Sequence, residues 1–271
     1  MPQRVDVVTF FNEFDMLEAR LRLLDAHVDA FVIIEANHTF SGLPKPWNFD
    51  ARAARFAPWA HKIVHHRWVI DLASARWRLT RWLKGKRFAW SIESGQRNAA
   101  LAALAGFAPN DRVVFGDVDE IPSASALARF DSMVNSLAPA AVCEQALLYF
   151  NLGFKYPAPW HGTVFTTVGH LRCTGPEKLR RQRAALPAIA DGGWHCSYFM
   201  DPASLSKKIA AFSHQELNTA EINNEDHLRR CMDQGLAIFD GNLPLTRTHP
   251  DDFPPDFVEV MSRYPGFAAS R

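Results

Sequence analysis

The chain has 271 residues, 48% of them hydrophobic, enough to enclose one large α/β domain or two small ones. A net charge of +1 excludes the strong electrostatic pull that nucleic-acid binding relies on. Cys143, Cys173, Cys196 and Cys231 are scattered without a C-x-x-C pair, so they read as reduced, buried thiols of a reducing compartment.

Residues 5–11 form an apolar first strand, ended by Asn12 and Glu13. Asp15 is placed to cap a helix with Leu17, Leu21 and Leu24 on one stripe. Residues 30–34 form a second strand that runs into Glu35. A strand–helix–strand opening predicts a parallel sheet, and ligands of such sheets bind at the carboxyl ends of the strands. Glu35 is therefore a candidate acceptor for ribose hydroxyls, or else a plain surface acid. The loop 37–47 holds Lys45 between two prolines, where it could meet a phosphate or stay solvated. Residues 62–65 are a weaker third strand.

Residues 71–88 interleave Arg76, Arg78, Arg81, Lys84, Lys86 and Arg87 with Trp77 and Trp82. The pattern suits either an anionic or sugar-bearing ligand or a solvated amphipathic helix, and it has the look of an insertion or mobile loop. Residues 90–105 read as a helix carrying Glu93, Gln96, Arg97 and Asn98, with Gly106 near its end. Arg97 is a candidate to neutralise a diphosphate or the acids that follow.

Those acids lie in RVVFGDVDEIP, residues 112–122. Val113, Val114 and Phe115 make a buried strand, Gly116 breaks it, and Asp117, Asp119 and Glu120 follow within four positions. Crowded carboxylates need a cation, an arginine or protonation. Asp117 and Asp119 point the same way in an extended segment, which fits a hard divalent ion. The alternative is an acidic loop that leads into the next helix, with Ser123 as N-cap. That helix is expected over 123–137 and a strand over 141–150, with Glu144 either outward on an edge or paired in a site.

Gly192-Gly193-Trp194-His195 allows close backbone approach. Asp201-Pro202 starts a helix to about 212. Thr219 is placed to cap another, to about 234. Residues 250–271 are Pro-rich and poorly periodic, and are expected to drape over the surface or fray.

Taken jointly, FFNEFDMLEARL (10–21), FVIIEANHTFSGLPKP (31–46), WSIESGQRNAAL (90–101), GDVDEIP (116–122), GGWHCSYF (192–199) and KIAAFSHQE (208–216) resemble glycosyltransferase family 17. The resemblance implies one GT-A domain, an α/β/α sandwich around a mostly parallel sheet. Residues 1–122 would form its nucleotide-binding half, 123–249 its acceptor half and 250–271 a tail. It also implies an inverting transferase that moves a sugar, N-acetylglucosamine in the best-known members, from a UDP-sugar to a glycan or lipid-linked saccharide. The best-known animal members carry an N-terminal membrane anchor. This sequence opens with neither an anchor nor a signal-peptide core, and no apolar run approaches a membrane span. A cytoplasmic bacterial enzyme is expected, with peripheral association at the inner face of the membrane left open.

By the same resemblance, Asp117, Asp119 and a late histidine would hold Mn²⁺ or Mg²⁺. His195 is the first candidate, with His214 and His249 behind it. Phe11, Glu35, Asn37, Arg97, Asn98 and Asp117 would bind the nucleotide-sugar. Inversion needs a carboxylate to take the acceptor's proton, with Glu216 favoured and Glu120 and Glu144 as alternatives; Glu120 could instead support the metal ligands. Two rival readings are a haloacid-dehalogenase-type phosphatase, whose D-x-D lies on the first strand rather than at residue 117, and a non-catalytic carbohydrate- or nucleotide-sugar-binding protein on the same scaffold.

Overall fold

A computed structural model describes residues 2–134 and 138–268. Eleven strands form its sheet. They are β1 (Arg4–Phe10), β2 (Ala30–Ala36), β3 (Ile63–Trp68), β4 (Arg112–Asp117), β5 (Glu120–Pro122), β6 (Ala140–Tyr149), β7 (Phe154–Lys155), β8 (Trp160–Thr167), β9 (Ala188–Ile189), β10 (Gly193–Ser197) and β11 (Thr246–Arg247). The main order is β11-β7-β6-β8-β4-β1-β2-β3, with β10 joining β6 to β5 and β9 beside β6.

The block β3-β2-β1-β4 is parallel throughout, as the strand–helix–strand opening predicts. All seven residues of β2 are buried, which is why it reads as a continuous apolar run. β8 then pairs antiparallel with both β4 and β6, so the parallel character is confined to one half of the sheet and to the β6–β9 and β6–β10 pairs.

Alternation along the strands feeds two cores. Val8, Phe10, Phe31, Ile33 and Val114 face one side, covered by the helices Phe14–Leu24 and Pro255–Met261. Val5, Val7, Val32, Ile34, Val113 and Phe115 face the other, covered by Ala99, Ala100, Leu104, Leu171 and Leu179. The result is the α/β/α layering expected of a GT-A fold.

Several local expectations shift. The helix read over 90–105 is two, Phe88–Asn98 and Ala100–Ala103. Ser123 does cap a helix, but it is the short Ala124–Ala128, with Phe130–Met133 after it; 135–137 lie outside the described residues. Asp15 falls inside the first turn of its helix and pairs with Arg55 at 2.5 Å, while Glu13 holds the N-cap position. Asn224, not Thr219, caps the helix Glu225–Gln234. The segment after residue 250 is not draped: Phe257 and Met261 are buried in the first core, and Phe257 stacks on Trp194 with centroids 3.8 Å apart. Its Pro-rich start hid the helix Pro255–Met261, whose buried residues are Phe257 and Met261, with Tyr264 buried in the turn after it. Among the described residues, no helix is long and apolar enough to cross a membrane.

Candidate active site

The acidic turn sits where β1 and β4 end, and it is held from below. Arg20 is fully buried on the Leu17–Leu21–Leu24 stripe of its helix. Its guanidinium pairs with Asp6 at 2.7 and 2.8 Å and donates to the carbonyl of Glu120 at 2.6 Å. Gly116 leaves room for this packing: a Cβ would lie 2.9 Å from Glu120 Oε2 and 3.0 Å from Thr163 Oγ1.

The carboxylates meet cations of the chain's own. Asp117 accepts from Arg180 at 2.8 Å and from Arg97 at 3.1 Å. Arg97 also pairs with Glu93 at 2.8 Å and reaches Glu177 at 3.4 Å. Glu120 is fully buried; it accepts from Arg180 Nη1 at 2.6 Å, bonds Nη2 as well, and accepts from Trp160 Nε1 at 2.7 Å. Burial opposes ionisation of Asp117, but Arg180 and Arg97 outweigh it and hold the carboxyl well below the usual range.

Asp119 is held more loosely. Lys208 Nζ lies 3.5 Å from one oxygen and His195 Nε2 3.6 Å from the other. The β10 strand carries His195 to this point by pairing antiparallel with β5, His195 opposite Glu120. Its Nε2 bonds Ser197 Oγ at 3.0 Å, and its buried Nδ1 has no hydrogen-bond partner among the described residues. Burial alone would raise the Asp119 carboxyl; Lys208 and His195 reverse that and bring it from 3.8 to about 2.

A depressed carboxyl contributes stability that is present above its unfolded value and lost as pH falls through its folded one. The stability gap between wild type and Asp119→Asn should therefore shrink by about 2 kcal/mol as pH falls from ~4 to ~2. Urea denaturation across that range measures it, and a gap that does not change with pH would refute the electrostatic assignment.

A cleft of about 520 Å³ opens over these groups, lined by Phe11, Arg97, Asp117, Asp119, Arg180 and His195 among others. A second cleft of about 1100 Å³ adjoins it, and Glu13, Asp119 and Lys208 line both. Residues on either side of position 122 build the first cleft, so it belongs to both halves of the chain.

Phe11, Arg97, Asp117, Asp119 and His195 gather there, and Lys45 and His214 also line the cleft. Glu35, Asn37, Asn98, Glu120, Glu144, Glu216 and His249 do not line it. Glu35 is fully buried and its oxygens are taken internally, by Lys45 at 2.5 Å, the Asn48 N–H at 2.6 Å and His65 at 3.1 Å. Asn37 is tied to both the N–H and the carbonyl of Ile70. Asn98 accepts from the Glu177 N–H at 3.1 Å, fixing the start of the helix Pro176–Gln182. Glu120 lies beneath the floor. Glu216, the favoured base, is exposed and pairs with His214 at 2.8 Å; His214 lines the cleft but Glu216 does not. Glu144 sits at a register shift of β6 opposite His161, and His249 is exposed and caps the turn Pro250–Asp252. Three groups escaped the sequence reading. Arg20 had a legible signal, a charge on an apolar helix stripe. Arg180 and Lys208 had none, since both reach the acids across distant parts of the chain.

The sequence model of Glycosyltransferase family 17 matches residues 1–252. Beta-1,4-mannosyl-glycoprotein 4-beta-N-acetylglucosaminyltransferase from Homo sapiens is 24% identical over 238 residues, and the Mus musculus protein of that name 24% over 245 residues. Each alignment covers 78% of this chain, which spans 43% of the length of those curated relatives. Among solved structures, the inositol-1-phosphate CTP transferase from T. maritima aligns with a TM-score of 0.39 at 8% identity, covering 75% of this chain and 93% of that one. The glycosyltransferase GlyE of Streptococcus pneumoniae TIGR4 aligns with a TM-score of 0.35 at 9% identity, covering 70% and 46%. With its sequence model matched over nearly the whole length, the chain belongs to glycosyltransferase family 17.

Proposed function

We propose that the chain transfers a sugar from a UDP-sugar to a saccharide hydroxyl with inversion, the donor occupying the smaller cleft and the acceptor the larger one. The observation that carries this reading is the junction of the two clefts at Glu13, Asp119 and Lys208. N-acetylglucosamine is the sugar favoured by the names of the curated relatives.

A divalent ion at this site would need free carboxylate or imidazole donors. Asp117 does not fit, because both its oxygens already face guanidinium groups. Asp119 and His195 do fit: they face each other at 3.6 Å, both line the donor cleft, and neither is locked in a short ion pair. Among the described residues, no three His, Cys, Asp or Glu side chains are grouped to hold a metal. A site of this kind takes its remaining ligands from water and substrate phosphate. Asp119 and His195 would hold Mn²⁺ or Mg²⁺ there, and the bound ion would neutralise charge on the departing UDP.

Glu13 is the acid placed to act as base. One of its oxygens accepts from the N–H groups of Phe11 and Asn12, both at 3.1 Å, and the other faces Lys208 at 3.9 Å. In the proposed step the acceptor oxygen bonds the anomeric carbon as the bond from that carbon to the UDP oxygen breaks. UDP leaves with the electron pair, and Glu13 takes the acceptor's proton.

Thermal shift with UDP, GDP, CMP and UDP-sugars, with and without Mn²⁺, tests this on wild type and Asp119→Ala. At a hundredfold excess over Kd, a bound nucleotide should add about 2.7 kcal/mol. That shift should require Mn²⁺, favour uridine and vanish in Asp119→Ala. No shift with any nucleotide would sink the proposal. Uridine binding without turnover on any acceptor would point instead to a binding protein on this scaffold.

A further inference from the structure

The helix Ala75–Lys84 packs on the body through one face only. Trp77 meets Trp68 and Phe88 with centroids 6.3 and 6.0 Å apart, and joins the small cluster of Ile70, Phe88 and Ile92. On another face, Leu79, Trp82 and Leu83 stand 56%, 79% and 64% exposed. Their spacing, i, i+3 and i+4, makes one contiguous apolar patch. Leu43, also exposed, follows Gly42, where an added Cβ would lie 3.3 Å from Arg81 Nη2.

Around this patch the charge has one sign. Arg76, Arg78, Arg81, Lys84 and Arg87 are all exposed, and none of them forms an ion pair among the described residues. No Asp or Glu occurs between Asp71 and Glu93. Five exposed cations with no paired acid among the described residues thus fall within twelve residues of chain.

We propose that this helix docks the protein on an anionic lipid bilayer, with Leu79, Trp82 and Leu83 entering the interface and the basic side chains meeting lipid phosphates. An exposed apolar face flanked by Lys and Arg and carrying a Trp is the pattern of a helix that lies in the membrane plane. The alternatives fit less well. A nucleic acid would match the charge but has no use for two exposed leucines. A second copy would bring the same positive charge against itself. The inference does not depend on the donor or acceptor proposed above. Trp90 lines both the cleft behind this helix and the donor cleft, so the two share a wall.

The test is co-sedimentation of the full chain with vesicles of phosphatidylcholine alone or mixed with phosphatidylglycerol, at low and high salt. Binding should need phosphatidylglycerol and weaken with salt. Removing a basic residue near the surface should cost about fivefold in affinity, so Arg76→Ala/Arg78→Ala/Lys84→Ala should bind on the order of a hundredfold more weakly. Leu79→Ser/Trp82→Ser/Leu83→Ser should lose the binding that survives high salt. All six side chains are exposed, so an unchanged thermal midpoint is expected of both variants. The charge variant alone decides the matter if the apolar one does not fold. Wild type that stays in the supernatant with anionic vesicles overturns the proposal, as does equal binding by wild type and the charge variant. Self-association that the apolar variant loses, without vesicle binding, would overturn it in favour of a second copy. Retention of duplex DNA without vesicle binding would overturn it in favour of nucleic acid.

Discussion

Replacing Arg180 with Met should destabilise the protein by about 3–5 kcal/mol, the range for removing one partner of a buried charge pair. Arg180 is 2% exposed and Glu120 is fully buried. The guanidinium bonds both oxygens of Glu120, one oxygen of Asp117 and the carbonyl of Gly162. A methionine of similar length fills the space but leaves the Glu120 carboxylate with the Trp160 indole and the Asp117 N–H as its remaining donors. The ion must then be protonated or dragged to water, and either outcome weakens the acidic turn. Adding Glu120→Gln should recover at least about 1 kcal/mol, because the double variant no longer buries an unpaired charge. Urea denaturation of the four proteins closes the cycle. Loss of less than about 1 kcal/mol in the single variant, or no recovery in the double, would show that the pair does not carry the turn.

Gly193→Ala should destabilise by roughly 2–5 kcal/mol through backbone strain and overpacking. Gly193 has φ of 122°, a region L residues rarely enter, and an added Cβ would lie 2.1 Å from the Ile121 carbonyl oxygen and 2.6 Å from the Ser123 nitrogen. Both neighbours are backbone atoms, so the strain cannot be relieved by turning a side chain. It must push β10 away from β5, and the pairing of those strands is what sets His195 beside Asp119. Gly106→Ala is the control, with nothing within 4 Å of the added carbon. It should stay within about 0.5 kcal/mol of wild type. A Gly193→Ala protein equal to that control in urea would mean that β5 and β10 pair less tightly than the structure shows.

The sequence was most legible where one physical signal acts alone. The apolar runs of β1, β2 and β4 announce buried parallel strands, and Ser123 and Asp201 cap the helices they precede. The acids at 117–120 pointed to the ligand end of the sheet for the same reason: a charge at the end of a buried strand must be answered. What answers it was hidden. The sequence reading allowed a metal or an arginine, and arginines arrive from residues 97 and 180, the latter from a helix that pairing rules say nothing about. Glu35 shows the same blindness in reverse. Its place at the end of β2 is right for ribose, yet Lys45 folds back from the Pro-rich loop and closes it off. The segment after 250 was missed because proline density outweighed the i, i+4, i+7 spacing of Phe257, Met261 and Tyr264.

The loose grip on Asp119 has a consequence for the order in which ligands can assemble. Lys208 already stands 3.5 Å from the carboxylate, so an incoming free divalent ion meets a resident positive charge. Mutual repulsion would make bare-ion loading weak. A nucleotide diphosphate of the kind proposed above would reverse the sign of the encounter, because its oxygens would attract the lysine and the metal alike. On that proposal, metal and nucleotide would be delivered as one chelate. The turn itself would not depend on that delivery, since Arg180, Arg97 and Arg20 already bond it from the chain's own side.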